Sequence, residues 1–314
     1  MMDLLSSVLL ALRIESTSIS RWRMSAPWGV NVQDFLPGYC LSIVTGQCWV
    51  TWAGMEAVQL QPGDTLLALK GGDCQLLSEL GTAASIMNDL PWKGEDIQGM
   101  DARHRPTSTQ KLTWGGGGEL CSMLGLAFTF RRGRGDFLLQ ALPQFIVLRR
   151  DDTELLPLTH SAIECLVDDD KPGYIAVADQ LAELIIISLI RSAVLSDTVP
   201  SNHWIKSLQD RHISRALAAI HAQPQCAWSV IALAQEANLS RSSFAVRFHH
   251  LVGQTPMDYV NRWRMQLAAD LLTETRTSIT LIAQQVGYQS DRAFRRVFNQ
   301  QMGCSPTTYR KLYA

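Results

Sequence analysis

Between Ser229 and Tyr309 the chain writes one unit twice, and this duplication restricts its fold more than any other feature. Ser229, Val230, Leu233 and Ala234 recur 49 residues later as Ser278, Ile279, Ile282 and Ala283. After a one-residue insertion the match resumes at an offset of 50. Phe244, Phe248, Gly253, Thr255, Pro256 and Tyr259 then fall on Phe294, Phe298, Gly303, Ser305, Pro306 and Tyr309. Each copy reads as two short helices around a tight turn. Ser229 and Ser278 suit N-caps, because a serine oxygen accepts from the unpaired N–H groups of a first turn. Small apolar stripes follow, Val230/Leu233/Ala234/Ala237 and Ile279/Ile282/Ala283/Val286. Asn238 and Gly287 lie in the turns, where positive φ is needed. The second helices carry phenylalanines four apart, which puts both on one buried face. Gly253 and Gly303 fit left-handed C-caps, and Thr255-Pro256 and Ser305-Pro306 fit an N-cap followed by proline at the first helical position. The pattern is two helix-turn-helix units joined by a long helix over about Pro256 to Thr273.

The side of each second helix away from the phenylalanines carries the chemistry. In the second copy it holds Arg292, Arg295, Arg296 and Asn299, spaced i, i+3, i+4, i+7. A charge run on one helix is ordinarily a solvated face. This run falls on the second helix of a duplicated helix-turn-helix, where arginine forks match guanine edges and reach phosphates. The first copy presents Ser242, Ala245, Val246 and His249, with Arg241 and Arg247 beside them. That face is small and apolar, better suited to thymine methyls than to hydrogen-bonded readout.

The segments "GYQSDRAFRRVFNQQMGCSPTTYR" and "LAQEANLSRSSFAVRFHHLVGQTPMDYVNRWRMQLAADLL" closely resemble the signature of AraC/XylS-type transcription regulators, over roughly 210–314. The resemblance implies seven helices, with two recognition helices entering successive major grooves on one side of double-stranded DNA. It implies base contacts from Ser242, Ala245 and Val246, and from Asp291, Arg292, Arg295 and Arg296, with Arg241 beside them. RNA polymerase as a partner, and an activator's role, are likewise implied. A linker helix of about 18 residues spans about 27 Å, which with a recognition helix at each end suits one helical turn of about 34 Å.

The net charge of −1 splits unevenly. From Asn202 onward there are 13 Lys+Arg and 6 Asp+Glu, +7, which leaves 15 and 23, −8, for the rest. A basic DNA-reading module on an acidic companion has this asymmetry. Seven scattered cysteines without CxxC spacing make neither a disulfide framework nor a zinc site, and fit reduced cytoplasmic thiols. The apolar run Val8 to Leu12 has no basic region before it, so no signal peptide is expected. Leu184 to Ile190 is bracketed by Asp179, Glu183 and Arg191, far short of the ~20 residues of a membrane span.

Before the duplication, Met1 to Leu12 reads as a helix with Leu5, Val8, Leu9 and Leu12 on one face. From Ile19 to about Phe130 the pattern is short β-branched and aromatic runs broken by Gly and Pro, the mark of a sandwich or barrel. Leu41–Val44, Cys48–Trp52, Val58–Leu60, Thr65–Leu69 and Leu120–Phe130 read as strands. "SAPWGV", "GQCWV" and "LQPGDTLLAL" resemble cupin barrels, specifically the cupin-type sensor domain that precedes some AraC-type modules. Metal-binding cupins need a histidine pair and a carboxylate, yet no histidine lies between Trp22 and Met100. No metal, no cofactor and no enzymatic activity are therefore expected. The competing class, a cupin oxygenase or isomerase fused to a DNA module, is told apart by metal analysis.

Tyr174 to Val194 reads as a helix apolar nearly all round, buried under the barrel or against a second subunit in a homodimer. Cys40, Cys48 and Cys74 fall in the barrel, either as small buried hydrophobes or as an oxidant or electrophile sensor. Trp49 and Trp52 point to opposite faces of one strand, so one can line an interior suited to a small ligand. The expected fold class is α+β: a cupin-like β-barrel over 1–195, a linker at 196–209, and an all-α double helix-turn-helix domain over 210–314. The expected function is sequence-specific transcription regulation with a small-molecule effector sensed by the barrel, the effector-binding residues being unknown; the alternative is redox sensing through Cys40, Cys48 or Cys74.

Overall fold

Alternation along the short apolar runs builds the first part of the structure. In Cys48–Thr51 every second side chain is buried, and Thr65–Ala68 is buried throughout, as expected of an edge-side and a central strand. The computed structural model describes residues 4–12, 14–33, 38–93, 108–130, 136–152, 161–162, 164–165, 172–195, 207–208 and 210–313. Of the expected linker 196–209, all but Ser207 and Leu208 lies outside these residues, as do the polar connection 168–171 and most of the segment before it.

Eleven strands among the described residues form two sheets. They are β1 (Ile14–Ser25), β2 (Gly29–Val32), β3 (Gly38–Thr45), β4 (Cys48–Thr51), β5 (Val58–Leu60), β6 (Thr65–Ala68), β7 (Cys74–Leu77), β8 (Ser85–Ile86), β9 (Gln110–Gly115), β10 (Leu120–Phe130) and β11 (Phe145–Leu148). One sheet runs β11-β6-β3-β10-β1-β9 and the other β5-β4-β7-β2-β8. The antiparallel pair β1 and β10 extends from Ile14 opposite Phe130 to Ser25 opposite Leu120. A single core is lined from both sheets: Trp22, Met24, Leu41, Ile43, Leu66 and Met123 from the first, Val30, Cys48, Val50, Leu60 and Leu76 from the second. This is the expected cupin-like β domain, drawn as two sheets over one core. The expected strands are all present, and β1 begins five residues before the expected Ile19.

Turns are placed by residues that tolerate them. Gly46, between β3 and β4, has φ 75°, and a Cβ there would lie 2.4 Å from the Leu120 carbonyl oxygen. In the Pro62-Gly63-Asp64 turn, Asp64 is 5% exposed. Its carboxylate accepts from the Gln61 N–H at 3.0 Å, the Arg150 N–H at 3.2 Å and Arg149 Nη1 at 2.6 Å. It thus ties the turn before β6 to the chain just after β11, the neighbouring strand. A buried carboxylate is tolerable only with such partners.

The helix Tyr174–Leu195 packs against β1 and β11. Tyr174, Ala178, Ala182, Ile185, Ile186, Leu189, Ile190, Ala193 and Val194 are buried, and Thr17 Oγ1 donates to Asp179 at 2.5 Å. Its other side is open, with Val177, Leu184 and Leu195 each more than half exposed. No helix of the described residues is long and apolar enough to cross a membrane. Among the described residues no group of three or more His, Cys, Asp or Glu is placed to hold a metal ion.

By packing, the chain divides into 13–131 with 142–200, and 1–12 with 132–141 and 201–314. The N-terminal helix Leu4–Leu9 therefore counts with the helical unit, where it packs against helix Arg211–Ala222. Leu4, Val8, Leu9 and Leu12 are buried, while Leu5 is half-buried.

The Asp64 cluster yields a stability test. Asp64→Ala leaves the Gln61 and Arg150 amides and the Arg149 guanidinium without their shared acceptor, and lowers unfolding free energy by about 2 kcal/mol. Arg149→Ala costs less, because its side chain is half exposed and Asp64 keeps two backbone donors. Denaturant unfolding of both variants checks the order; an Asp64→Ala protein as stable as the parent would contradict it.

Candidate nucleic-acid interface

Six helices from Val230 to Tyr313 realise the duplication in three dimensions. Helices Val230–Glu236 and Ile279–Gln285 begin at Ser229 and Ser278, whose hydroxyls accept from Ala232 N and Leu281 N. The turns follow at Asn238, φ 51°, and Gly287, φ 89°, equivalent positions in the two copies. The second helices, Arg241–Val252 and Asp291–Met302, are capped by Ser240 and Ser290, and close at Gly253 and Gly303 in left-handed geometry. Helix Pro256–Glu274 joins the copies; at 19 residues it is about 28 Å long.

Equivalent aromatic sets hold the two second helices. Phe244 and Phe248 have ring centroids 5.4 Å apart, and Phe248 meets Tyr259 edge-on at 5.8 Å. Phe294 and Phe298 are 5.6 Å apart, and Phe298 meets Tyr309 edge-on at 5.5 Å. All four phenylalanines are fully buried. Burying one side of a helix fixes which side faces water.

The outward side carries the residues singled out in the sequence. Arg241, Ser242 and Val246 are exposed, Val246 to 73%, with Ala245 partly covered between them. With Val230, His249, His250, Thr255 and Pro256 they line an open depression of about 790 Å³. On the second recognition helix Arg292, Arg295 and Arg296 are exposed and Asp291 half-buried. Each set shares one helix face.

Ion pairs divide the arginines. Arg247, beside the first set, bonds through its guanidinium to Asp210, with Nε to Oδ2 at 2.9 Å. Asp210 also caps helix Arg211–Ala222 through the N–H groups of His212 and Ile213. Partial burial would raise the Asp210 carboxyl; the Arg247 hydrogen bond and the two backbone donors outweigh it and hold the group below the usual range. Arg247 is thus spent on the fold. On the second helix, Arg295 Nε donates to Asp291 Oδ2 at 2.8 Å, one turn away. Among the described residues Arg241, Arg292 and Arg296 make no ion pair or hydrogen bond.

Two further arginines escaped the sequence reading. Arg264, 8% exposed on the long helix, donates to the carbonyls of Pro224 at 2.8 Å and Cys226 at 2.6 Å, and lies 5.8 Å from the Tyr288 ring centre. It fastens the loop before the first copy and the turn of the second to one helix. Arg310 donates to the Leu272 and Thr277 carbonyls, securing the far end of that helix. Only the partners identify such roles; the spacing of these arginines gives no signal. Cys304 packs against the core of the second copy.

A sequence model of the cupin family matches residues 3–194, and a helix-turn-helix domain model matches residues 233–312. The HTH-type transcriptional regulator AlkR of Acinetobacter baylyi is 33% identical over 271 residues, 82% of this chain and 85% of that protein. An AraC-like transcription regulator of Streptomyces antibioticus is 28% identical over 320 residues, 99% of each chain. The DNA-binding domain of AdpA, solved in complex with a target DNA, is 31% identical with a TM-score of 0.32, covering 33% of this chain and 93% of that domain.

The first recognition face gives a contrast between two substitutions. Ser242→Ala removes one exposed hydroxyl and changes duplex affinity by less than about twofold, while Val246→Glu sets a carboxylate among phosphates and weakens binding at least about tenfold. Titration of both variants against one duplex at fixed salt tests the pair; a larger loss for Ser242→Ala would contradict it.

Proposed function

Because the chain belongs to the AraC-type transcription regulators with an N-terminal cupin domain, we propose that it reads a specific DNA sequence with two recognition helices, under the control of a small-molecule effector. The observation that carries this is the repeated burial of Phe244/Phe248 and Phe294/Phe298, which turns Arg241, Ser242, Ala245 and Val246, and Asp291, Arg292, Arg295 and Arg296, outward on equivalent helices. Residues 210–314 form the DNA-reading part, 1–195 the sensing part and 196–209 the link, although the helix Leu4–Leu9 at the start of the sensing part packs with the helices of the DNA-reading part. The protein acts in the cytoplasm, as an activator that engages RNA polymerase. It is not an enzyme.

Effector binding is assigned to a chamber at the inner face of β1, β3 and β10. It is a small space of about 50 Å³ lined by Ser18, Ser20, Trp22, Tyr39, Trp92 and Gly125 among others. Trp22 and Trp92 meet edge-on at 5.1 Å, and Trp22 Nε1 donates to the Ser20 hydroxyl at 2.9 Å. At this size the chamber is well below the roughly 300–1,000 Å³ of a formed ligand pocket, so a compact, mostly apolar effector enters only as the walls around Trp22 and Trp92 part.

The redox alternative meets a physical obstacle at all three of its residues. Burial pushes the Cys40 thiol up to about 12 and the Cys74 thiol up to about 11, so neither is a ready nucleophile. Cys48 is raised by its hydrogen bond with Cys121 and by burial, and that same bond lowers Cys121, a residue the sequence did not single out. Replacing Cys40, Cys48 and Cys74 together by serine leaves an effector response largely intact. Loss of the response in one single replacement would favour oxidant sensing.

The open stripe Val177, Leu184 and Leu195 supplies a homodimer surface, since a monomer gains nothing from exposing large apolar side chains in one line. The full chain sediments as a dimer at micromolar concentration and Leu184→Glu as a monomer; a monomeric parent would contradict this surface. The reading as a whole is tested by measuring binding of the full chain to a duplex enriched from a random library and to random duplex, at one salt concentration. A specificity ratio of about a thousand or more is expected; equal affinities would make the protein a non-specific binder.

A further inference from the structure

The three outward arginines of the second recognition helix are not equivalent, because one of them is already engaged. Arg295 Nε donates to Asp291 Oδ2 at 2.8 Å across one helical turn, with the two side chains 43% and 38% exposed. Arg292 and Arg296, also exposed, have no such neighbour among the described residues. Accepting the proposed role of this helix in DNA reading, we infer that Asp291 is a positioning residue that fixes Arg295 for base recognition, while Arg292 and Arg296 hold phosphates.

Two physical consequences of the pair lead there. A guanidinium is planar and carries five donors in a fixed fork. With Nε bound to a carboxylate on the same helix, the plane of Arg295 loses rotational freedom, and its two Nη groups stay available. A pre-oriented fork of two donors is what the O6 and N7 acceptors of guanine match. The second consequence concerns charge. A carboxylate at hydrogen-bond distance offsets the Arg295 charge locally, so Arg295 is a poor anchor for a phosphate, whose attraction is mostly a matter of net charge and counterion release. Arg292 and Arg296 keep their full charge and suit phosphates.

Asp291 itself is a poor base contact. Its Oδ1 is buried without a hydrogen-bond partner, and its Oδ2 is taken by Arg295. The direct base contact expected of Asp291 from the family pattern is thereby replaced by an indirect one. In the first turn of the helix the carboxylate is also favourably placed toward the N-terminal end of the dipole. That second effect is structural and independent of sequence reading, so a test must separate the two.

The experiment uses the full chain and a duplex enriched from a random library by the parent protein, with every single-base variant of it, over a series of salt concentrations. Arg295→Ala lowers affinity for the enriched duplex about tenfold or more and relaxes preference at one base pair, with little change in salt slope. Asp291→Ala relaxes preference at that same base pair, and adds no further loss when combined with Arg295→Ala. Asp291→Asn, which keeps an acceptor for Nε and the shape of the side chain, retains more of the preference than Asp291→Ala. Arg292→Ala and Arg296→Ala each weaken all duplexes alike and flatten the salt slope by about one. Circular dichroism of each variant establishes that the helices are formed.

The inference is overturned if Asp291→Ala leaves base preference unchanged, or shifts it at a base pair that Arg295→Ala does not affect. It is overturned equally if Arg295→Ala flattens the salt slope as much as Arg292→Ala does. A parent protein that binds enriched and random duplexes alike would instead overturn the underlying DNA-reading role, before any variant is compared.

Discussion

Two phenylalanines four residues apart, buried twice over, determine how the helical unit presents itself. Phe244/Phe248 and Phe294/Phe298 fill equivalent positions beneath Tyr259 and Tyr309, and each set fixes the rotation of its recognition helix about its own axis. Once that rotation is fixed, Val246 and Ser242 on one helix and Arg292 and Arg296 on the other must face water. Substituting the outward residues changes chemistry; substituting the phenylalanines would remove the face itself. Fully buried phenylalanines cost about 3–5 kcal/mol when cut to alanine, more than any outward side chain contributes to folding.

Around that arrangement, arginines serve two unlike purposes. Arg247, Arg264 and Arg310 each hold backbone or a cap: Arg247 through Asp210, Arg264 through the Pro224 and Cys226 carbonyls, Arg310 through those of Leu272 and Thr277. Arg241, Arg292 and Arg296 hold nothing among the described residues and remain as exposed charge. The positive balance of the C-terminal part therefore overstates what is available to DNA, since part of it is used internally. The β-rich unit uses the same device where Arg149 and two amides satisfy the buried carboxylate of Asp64.

Much of the fold was legible because its signals are local. The duplication, the serine and threonine caps, the glycines after the recognition helices and the positive φ at Asn238 and Gly287 each depend on a few neighbouring residues. Short alternating runs likewise announced five of the eleven described strands of the two-sheet domain. What stayed hidden is what depends on distant partners. Nothing near Arg264 in the sequence points to Pro224, and nothing near Cys48 points to Cys121. The spacing of Asp291 and Arg295 does permit an ion pair, but a four-residue spacing only makes contact possible; the structure places it. The helix Tyr174–Leu195 read as apolar all round, yet its burial is one-sided, because a sheet can cover only the face that packs on it.

In the proposed function two equivalent helices read DNA one turn apart. Hydroxyl-radical and methylation footprints of the full chain on a duplex it selects from a random library measure this directly. Two protected major-groove segments are expected on one face of the duplex, centred about 10 base pairs apart, the spacing of successive grooves. A single protected segment, or two on opposite faces, would contradict that reading.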